Sequence, residues 1–150
     1  KKNLQQLSLI HIEIQEYLEN KALNEKEKLY SMDSILDIHK RFYSKVEMAY
    51  ALKIKHSDLE VDMIPGELRK SFVKIGSHIA PNPDDLITIF NEFEILYNQC
   101  KFESQTMKLI YALCSHHRLV YIHPFYDGNG RISRLYLDYV ETHELGHANA

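Results

Sequence analysis

Residues 122–134 read IHPFYDGNGRISR, and the fold follows from how that stretch divides. Pro124 disfavours helical backbone at the residue before it, so a helix arriving from upstream stops with His123 at its end. Gly128 and Gly130 tolerate left-handed backbone, and Asn129 accepts it better than most residues. A second helix starts from about Gly130, which makes the stretch a polar loop between two helices. A plain turn needs only Asp-Gly or Asn-Gly. The histidine, the carboxylate and the two arginines exceed that need.

Outward from the loop, helical periodicity dominates. The upstream helix begins after Ser104, with Thr106, Ile110, Leu113, His117 and Val120 in register as its stripe, and the downstream helix carries Leu135, Tyr139 and Val140. Further upstream, NPDDLITIFNEFEILYNQ opens with Asn82 as N-cap, Pro83 at the first helical position and Asp84 and Asp85 at the positive end of the dipole. Leu86, Phe90, Phe93 and Tyr97 form its buried face. Before it, Phe72 to Ile75 and His78 to Ala80 flank Gly76-Ser77 and read as a short β-hairpin. From Lys53 to Lys70 no helical period survives, and Pro65-Gly66 is turn chemistry. A helix capped by Ser31 or Asp33 presents Ile35, His39, Phe42, Val46 and Ala49, with His39 a core-edge histidine. The first helix carries Leu4, Leu7, Ile10, Ile14, Tyr17 and Leu18 and ends near Asn20. The expectation is one mainly α domain with one exposed hairpin, divided as an N-terminal helical segment 1–30, a core 31–145 and a tail 146–150.

The balance of charge narrows the function classes. With 150 residues and a net charge of −3, the chain fits one domain and carries no overall basic field to draw it onto nucleic acid or a membrane surface. Any anion site must be local. No apolar run approaches the roughly 20 residues that span a bilayer, and no signal-peptide pattern opens the chain. Cys100 and Cys114 form no Cys-x-x-Cys pair and read as reduced thiols, so the expected compartment is the cytoplasm, although a secreted effector also fits. HELGH, residues 143–147, has the His-Glu-x-x-His form of a zinc protease, but Gly146 weakens a helix there and no third ligand follows. It reads instead as a helix end, with His143 in the last turn and Gly146 as the cap.

The loop's surplus has a chemical order. Backbone N–H groups around Gly128, Asn129 and Gly130 at a helix start form an anion site suited to phosphate. Arg131 and Arg134 oppose the helix dipole there by about 0.3–1 kcal/mol each, a cost that a bound anion offsets. Three residues apart, they can grip adjacent phosphates. Asp127, a single carboxylate beside such a site, suits Mg²⁺. His123 can accept a proton near neutral pH. Phe125 buries its ring and anchors the loop. The combination suggests activation of a hydroxyl by His123 toward a Mg²⁺-bound nucleotide phosphate.

The segment resembles the signature of the Fic family: histidine, any residue, phenylalanine, any residue, acid, Gly-Asn-Gly-Arg, two residues, arginine. Every defined position matches from His123 to Arg134. The resemblance extends to His116, to PGELR at Pro65 to Arg69 and to VKIG at Val73 to Gly76. It implies a helical Fic fold and protein adenylylation, the transfer of AMP from ATP to a Ser, Thr or Tyr hydroxyl on a target protein. By position it makes His123 the general base, Asp127 the Mg²⁺ ligand, Gly128, Asn129 and Gly130 the anion hole, and Arg131 and Arg134 the phosphate ligands. Val73, Lys74, Ile75 and Gly76 become a flap that pairs with the target's main chain. The partners implied are ATP and a target protein, with self-modification and a homodimer compatible. Many Fic proteins carry an inhibitory helix of the form Ser or Thr, three residues, Glu, then Gly or Asn; here Glu19-Asn20 supplies the ending while Gln15 replaces the hydroxyl residue. Glu19 is thus the inhibitory candidate, against a solvated glutamate on an amphipathic helix. The scaffold also admits other donors, AMP removal, or a non-catalytic nucleotide or partner module. Gly-Asn-Gly-Arg favours AMP transfer, since the kinase-like Doc toxins differ there, and His123 argues against the non-catalytic reading.

Overall fold

The computed structural model describes residues 2–24, 28–56, 58–99, 101 and 103–146. Five helices carry the architecture: α1 (Lys2–Asn24), α2 (Met32–Tyr43), α3 (Leu86–Gln99), α4 (Gln105–Ile122) and α5 (Asn129–Leu145). Two antiparallel hairpins separate α2 from α3. The first pairs β1 (Lys53–His56) with β2 (Leu59–Asp62), and the second pairs β3 (Lys74–Ile75) with β4 (His78–Ile79). No described helix is long and apolar enough to cross a membrane.

α5 is the centre, packed against α4, α1 and α2. It buries Ile132, Leu135, Tyr136, Tyr139 and Val140, each apolar side chain contributing on the order of 1.5–3 kcal/mol. α1 lays Ile10, Ile14, Leu18 and Ala22 at four-residue spacing onto the core. That spacing carries α1 one turn past Asn20, to Asn24. Leu4 stays exposed, and Tyr17 lies at the surface beneath the Arg41 guanidinium, 4.1 Å above its ring.

Other expectations are met locally. Ser31 caps α2, accepting from the Ser34 N–H at 3.1 Å. Asn82 caps the turn Pro83–Asp85 that leads into α3, whose Leu86, Phe90, Phe93 and Tyr97 are buried. Gly146 ends α5 in left-handed backbone, with His143 in the last turn; His147 and Cys100 lie outside the described residues.

Three readings need correction. α2 stops at Tyr43, because Lys45 adopts extended backbone and a 3-10 turn follows over Val46–Ala51, leaving Ala49 exposed. The segment read as irregular contains the β1–β2 hairpin, whose Lys53 faces Asp62 and Ile54 faces Val61. α4 buries Ala112, Ser115, Leu119 and Ile122, while Ile110, Leu113 and Val120 are exposed. α4 is apolar on two sides, so periodicity could not choose between them. The small Ala112 and Ser115 let α5 approach closely, and Tyr136 Oη donates to Ser115 Oγ at 3.3 Å.

Candidate active site

The loop between α4 and α5 begins with an unusual backbone. His123 caps α4 at φ 50°, its N–H bonded to Leu119 O at 3.1 Å. It is the one described non-glycine residue with positive φ, a conformation that costs roughly 1–2 kcal/mol. Arg69 holds it there. The residue is 1% exposed, and its guanidinium donates from Nε to His123 O at 2.7 Å, from Nη2 to Pro81 O at 2.7 Å and to Ile122 O at 3.4 Å, and from Nη1 to Ser71 O at 2.9 Å. The Arg69 N–H also reaches Pro124 O at 2.9 Å. One buried cation therefore joins the base of the β3–β4 hairpin to the end of α4. His78 adds a second tie, its Nε2 3.0 Å from Tyr121 O.

The loop then closes on itself. The Asn129 side chain accepts from the Phe125 N–H at 2.9 Å and donates to Phe125 O at 2.7 Å, both buried. Its amide thus serves the loop, which leaves the backbone N–H groups of the helix start as the donors that could meet an anion. α5 starts after Gly128 (φ 82°), and its first bond runs from Ile132 N to Gly128 O at 2.9 Å. The N–H groups of Asn129, Gly130 and Arg131 precede that bond and are the open donors of the helix end. Only Gly128 of the two glycines needs positive φ; Gly130 is helical.

Tyr43, buried at the end of α2, reaches into this loop. Its hydroxyl donates to Asp127 Oδ2 at 2.8 Å and accepts from Arg131 Nη1 at 3.2 Å. A Cβ on Gly128 would meet that hydroxyl at 2.3 Å. Beneath the loop lies His39, fully buried, stacked on Phe125 at 3.9 Å between ring centroids and accepting the Gly66 N–H at 2.9 Å through Nδ1. Burial pushes its pKa down to about 4, opposed by the Asp127 backbone. His39 is therefore a neutral core residue at ordinary pH. His116, 2.9 Å from Ser133 O through Nδ1, ties α4 to α5 one turn beyond the loop.

The expected site residues converge. A cavity of about 300 Å³ is lined by His123, Asp127, Gly128, Asn129, Gly130, Arg131 and Arg134. A second, of about 360 Å³, is lined by Ile75, His78, His117, Val120, Tyr121 and again His123, Asn129 and Gly130. His123 stands where the two meet. Burial foremost, with Arg69 and His78 nearby, holds its imidazole below the ordinary 6.5, against the Val120 carbonyl and Asp127. It is neutral at pH 7 and able to take a proton. Ile75 borders the second cavity, while Lys74 and Gly76 are exposed on the hairpin. A larger cavity, of about 610 Å³, lies along α3 and α4 and contains none of the loop residues.

Asp127 is 45% exposed at its side chain. One such carboxylate beside open backbone donors fits Mg²⁺, which takes one or two protein oxygens and completes its shell with phosphate and water. Glu19, by contrast, accepts from the Gln15 amide at 2.9 Å and lies close to Asp138, whose carboxyl is pushed up to about 6 by burial and then by Glu19. The α1 residue whose charge state responds to Arg134 and Arg131 is His11, lowered by burial first and by those cations next.

The fold and site define a helical domain that presents an open helix N-terminus, a neutral histidine and a β-hairpin around one loop. The chain belongs to the Fic/DOC family, whose profile matches residues 29–140. It is 36% identical over 120 residues to the protein adenylyltransferase Fic of Aedes aegypti, covering 79% of this chain and 21% of that one. It is 32% identical over 131 residues to the Drosophila willistoni protein of the same name, covering 81% and 25%. The chain thus spans about a quarter of the length of these relatives. Among solved structures, a Fic domain containing signaling protein from Bacteroides thetaiotaomicron superposes with a TM-score of 0.62 at 20% identity, covering 93% of this chain and 48% of that one. A Fic family protein from Desulfovibrio desulfuricans gives 0.59 at 16%, covering 88% and 36%. These two likenesses speak for the fold.

Proposed function

We propose that this domain is a protein adenylyltransferase, moving AMP from ATP to a Ser, Thr or Tyr hydroxyl of a target protein. The observation that carries the reading is the place of His123 between two cavities, one lined by anion-binding groups and the other by the hairpin. The names of the insect relatives support it.

Phosphates enter at the α5 N-terminus, held by the Asn129, Gly130 and Arg131 N–H groups and by the Arg131 and Arg134 side chains. The target chain lies along Val73 to Gly76, pairing main chain to main chain, and presents its hydroxyl to His123. The hydroxyl oxygen attacks the α-phosphorus as its proton passes to the neutral imidazole. The bond from that phosphorus to the bridging oxygen breaks, and pyrophosphate leaves. Asp127 would hold Mg²⁺, which would supply neutralisation of phosphate charge. The remaining work is positioning, done by Arg69 on the backbone of His123 and by Asn129 on the loop.

The test is incubation with Mg²⁺ and ATP labelled separately at the α and γ phosphates, alone and with cell lysate, beside His123→Ala. Label from the α position in protein, self-modification included, falling roughly 100-fold or more in the variant, is the expected outcome. Transfer of only γ label would replace the proposal with a kinase.

A further inference from the structure

Tyr43 makes contacts that packing alone does not require. It is 1% exposed, and its ring lies 4.6 Å from that of His39 and 5.2 Å from that of Phe42. A phenylalanine would satisfy those neighbours equally well. The hydroxyl instead crosses to the loop 84 residues later and meets the side chains of Asp127 and Arg131.

Its single proton fixes the polarity of that bridge. A guanidinium can only donate and a carboxylate only accept, and the hydroxyl lies within hydrogen-bond distance of both. The group therefore donates to Asp127 and uses a lone pair for the Arg131 guanidinium. Arg131 Nη1 itself stands 3.7 Å from Asp127 Oδ2, beyond a normal hydrogen bond. The tyrosine oxygen is what joins the two charges. Both contacts fall on Oδ2 of Asp127, which leaves Oδ1 outside this bridge. Gly128 cannot carry a side chain without displacing this hydroxyl, whose distance from a Cβ there would be 2.3 Å.

We propose that Tyr43 is a positioning residue for the metal–phosphate half of the site: its hydroxyl pins one oxygen of Asp127, turns the other toward a phosphate-bound Mg²⁺, and keeps Arg131 in register with the same phosphates. This rests on the nucleotide reading above. Pinning suits Mg²⁺ because that ion takes few protein oxygens in fixed octahedral geometry, so a carboxylate free to rotate wastes part of its affinity. A single hydroxyl thereby links the ligand of the cation to the ligand of the anion.

The experiment is calorimetric binding of ADP, with and without Mg²⁺, to the wild type, Tyr43→Phe, Asp127→Asn and the double variant, with thermal midpoints alongside. Tyr43→Phe is expected to weaken Mg–ADP binding roughly tenfold, the worth of one hydrogen bond to a charged group, and to weaken metal-free ADP binding less. In the Asp127→Asn background the same substitution is expected to lose its Mg²⁺-dependent part, because a role exercised through Asp127 is non-additive with its removal. An unchanged Mg²⁺ dependence in Tyr43→Phe, whatever its thermal midpoint, assigns the residue to packing and overturns the proposal. Additive effects in the cycle overturn it also. If the wild type binds no ADP with or without Mg²⁺, the nucleotide reading itself fails.

Discussion

Replacing Arg69 by methionine keeps an unbranched stem in a nearly closed site and deletes the guanidinium. The side chain makes three hydrogen bonds of 2.9 Å or shorter, to His123 O, Pro81 O and Ser71 O. Each buried carbonyl left without a donor costs about 1–3 kcal/mol. Part of that sum is offset because the variant no longer buries a cation, a desolvation that already lowers the Arg69 pKa. The net expectation is a loss of about 3 kcal/mol in stability, read as the shift in urea midpoint at constant m-value. The released His123 would also relax from its left-handed backbone, so AMP transfer by the folded fraction should fall by about tenfold or more. Arg69→Lys, able to bond one or two of the carbonyls, should recover part of the stability. A loss below about 1 kcal/mol, with transfer unaltered, would refute the view that this cation sets the backbone of the base.

Two further outcomes follow from the loop. Gly128→Ala must adopt φ 82° and displace the buried Tyr43 hydroxyl, so it should lower stability by roughly 2 kcal/mol or more and abolish nucleotide binding; a calorimetric trace like the wild type's would contradict this. His39 titrates near 4 in the fold and near its ordinary 6.5 when unfolded, so below 6.5 the unfolded chain binds the extra proton. Its contribution is present above pH 6.5 and lost as the pH falls to 4, about 3 kcal/mol in all. Denaturant midpoints across that window should show a shallower decline in His39→Gln than in the wild type, and parallel curves would remove His39 as the cause.

What the amino-acid order discloses is set by how far apart the partners lie. Pro124, Gly128 and the Asn82-Pro83 cap act on their own neighbours, so the helix breaks, the loop and the start of α3 were legible. The hairpin at Lys74 to Ile79 was legible too, because a two-residue turn and its flanks are contiguous. Arg69 and Tyr43 were not. Their partners lie 54 and 84 residues away, and an arginine after a turn or a tyrosine at a helix end reads as surface or core until the chain is folded. The strands Lys53–His56 and Leu59–Asp62 carry a period of two that is only four residues long on each side, too short to stand out between turns. α4 failed differently: Ile110, Leu113 and Val120 are as apolar as the face that is buried, and the choice belongs to the small residues that fit α5. The side-chain bonds of Asn129 to Phe125 were not legible either, since a loop asparagine reads the same whether its amide faces the chain or solvent.

That small ring of two hydrogen bonds between Asn129 and Phe125 bears on kinetics as well as geometry. A loop already closed by its own side chain does not have to freeze when a nucleotide arrives, so ordering entropy is not subtracted from the encounter. Capture by the loop should then run at a rate set by diffusion and by the local field of Arg131 and Arg134, rising as ionic strength falls. Loop ordering would then not be the slow step of the cycle.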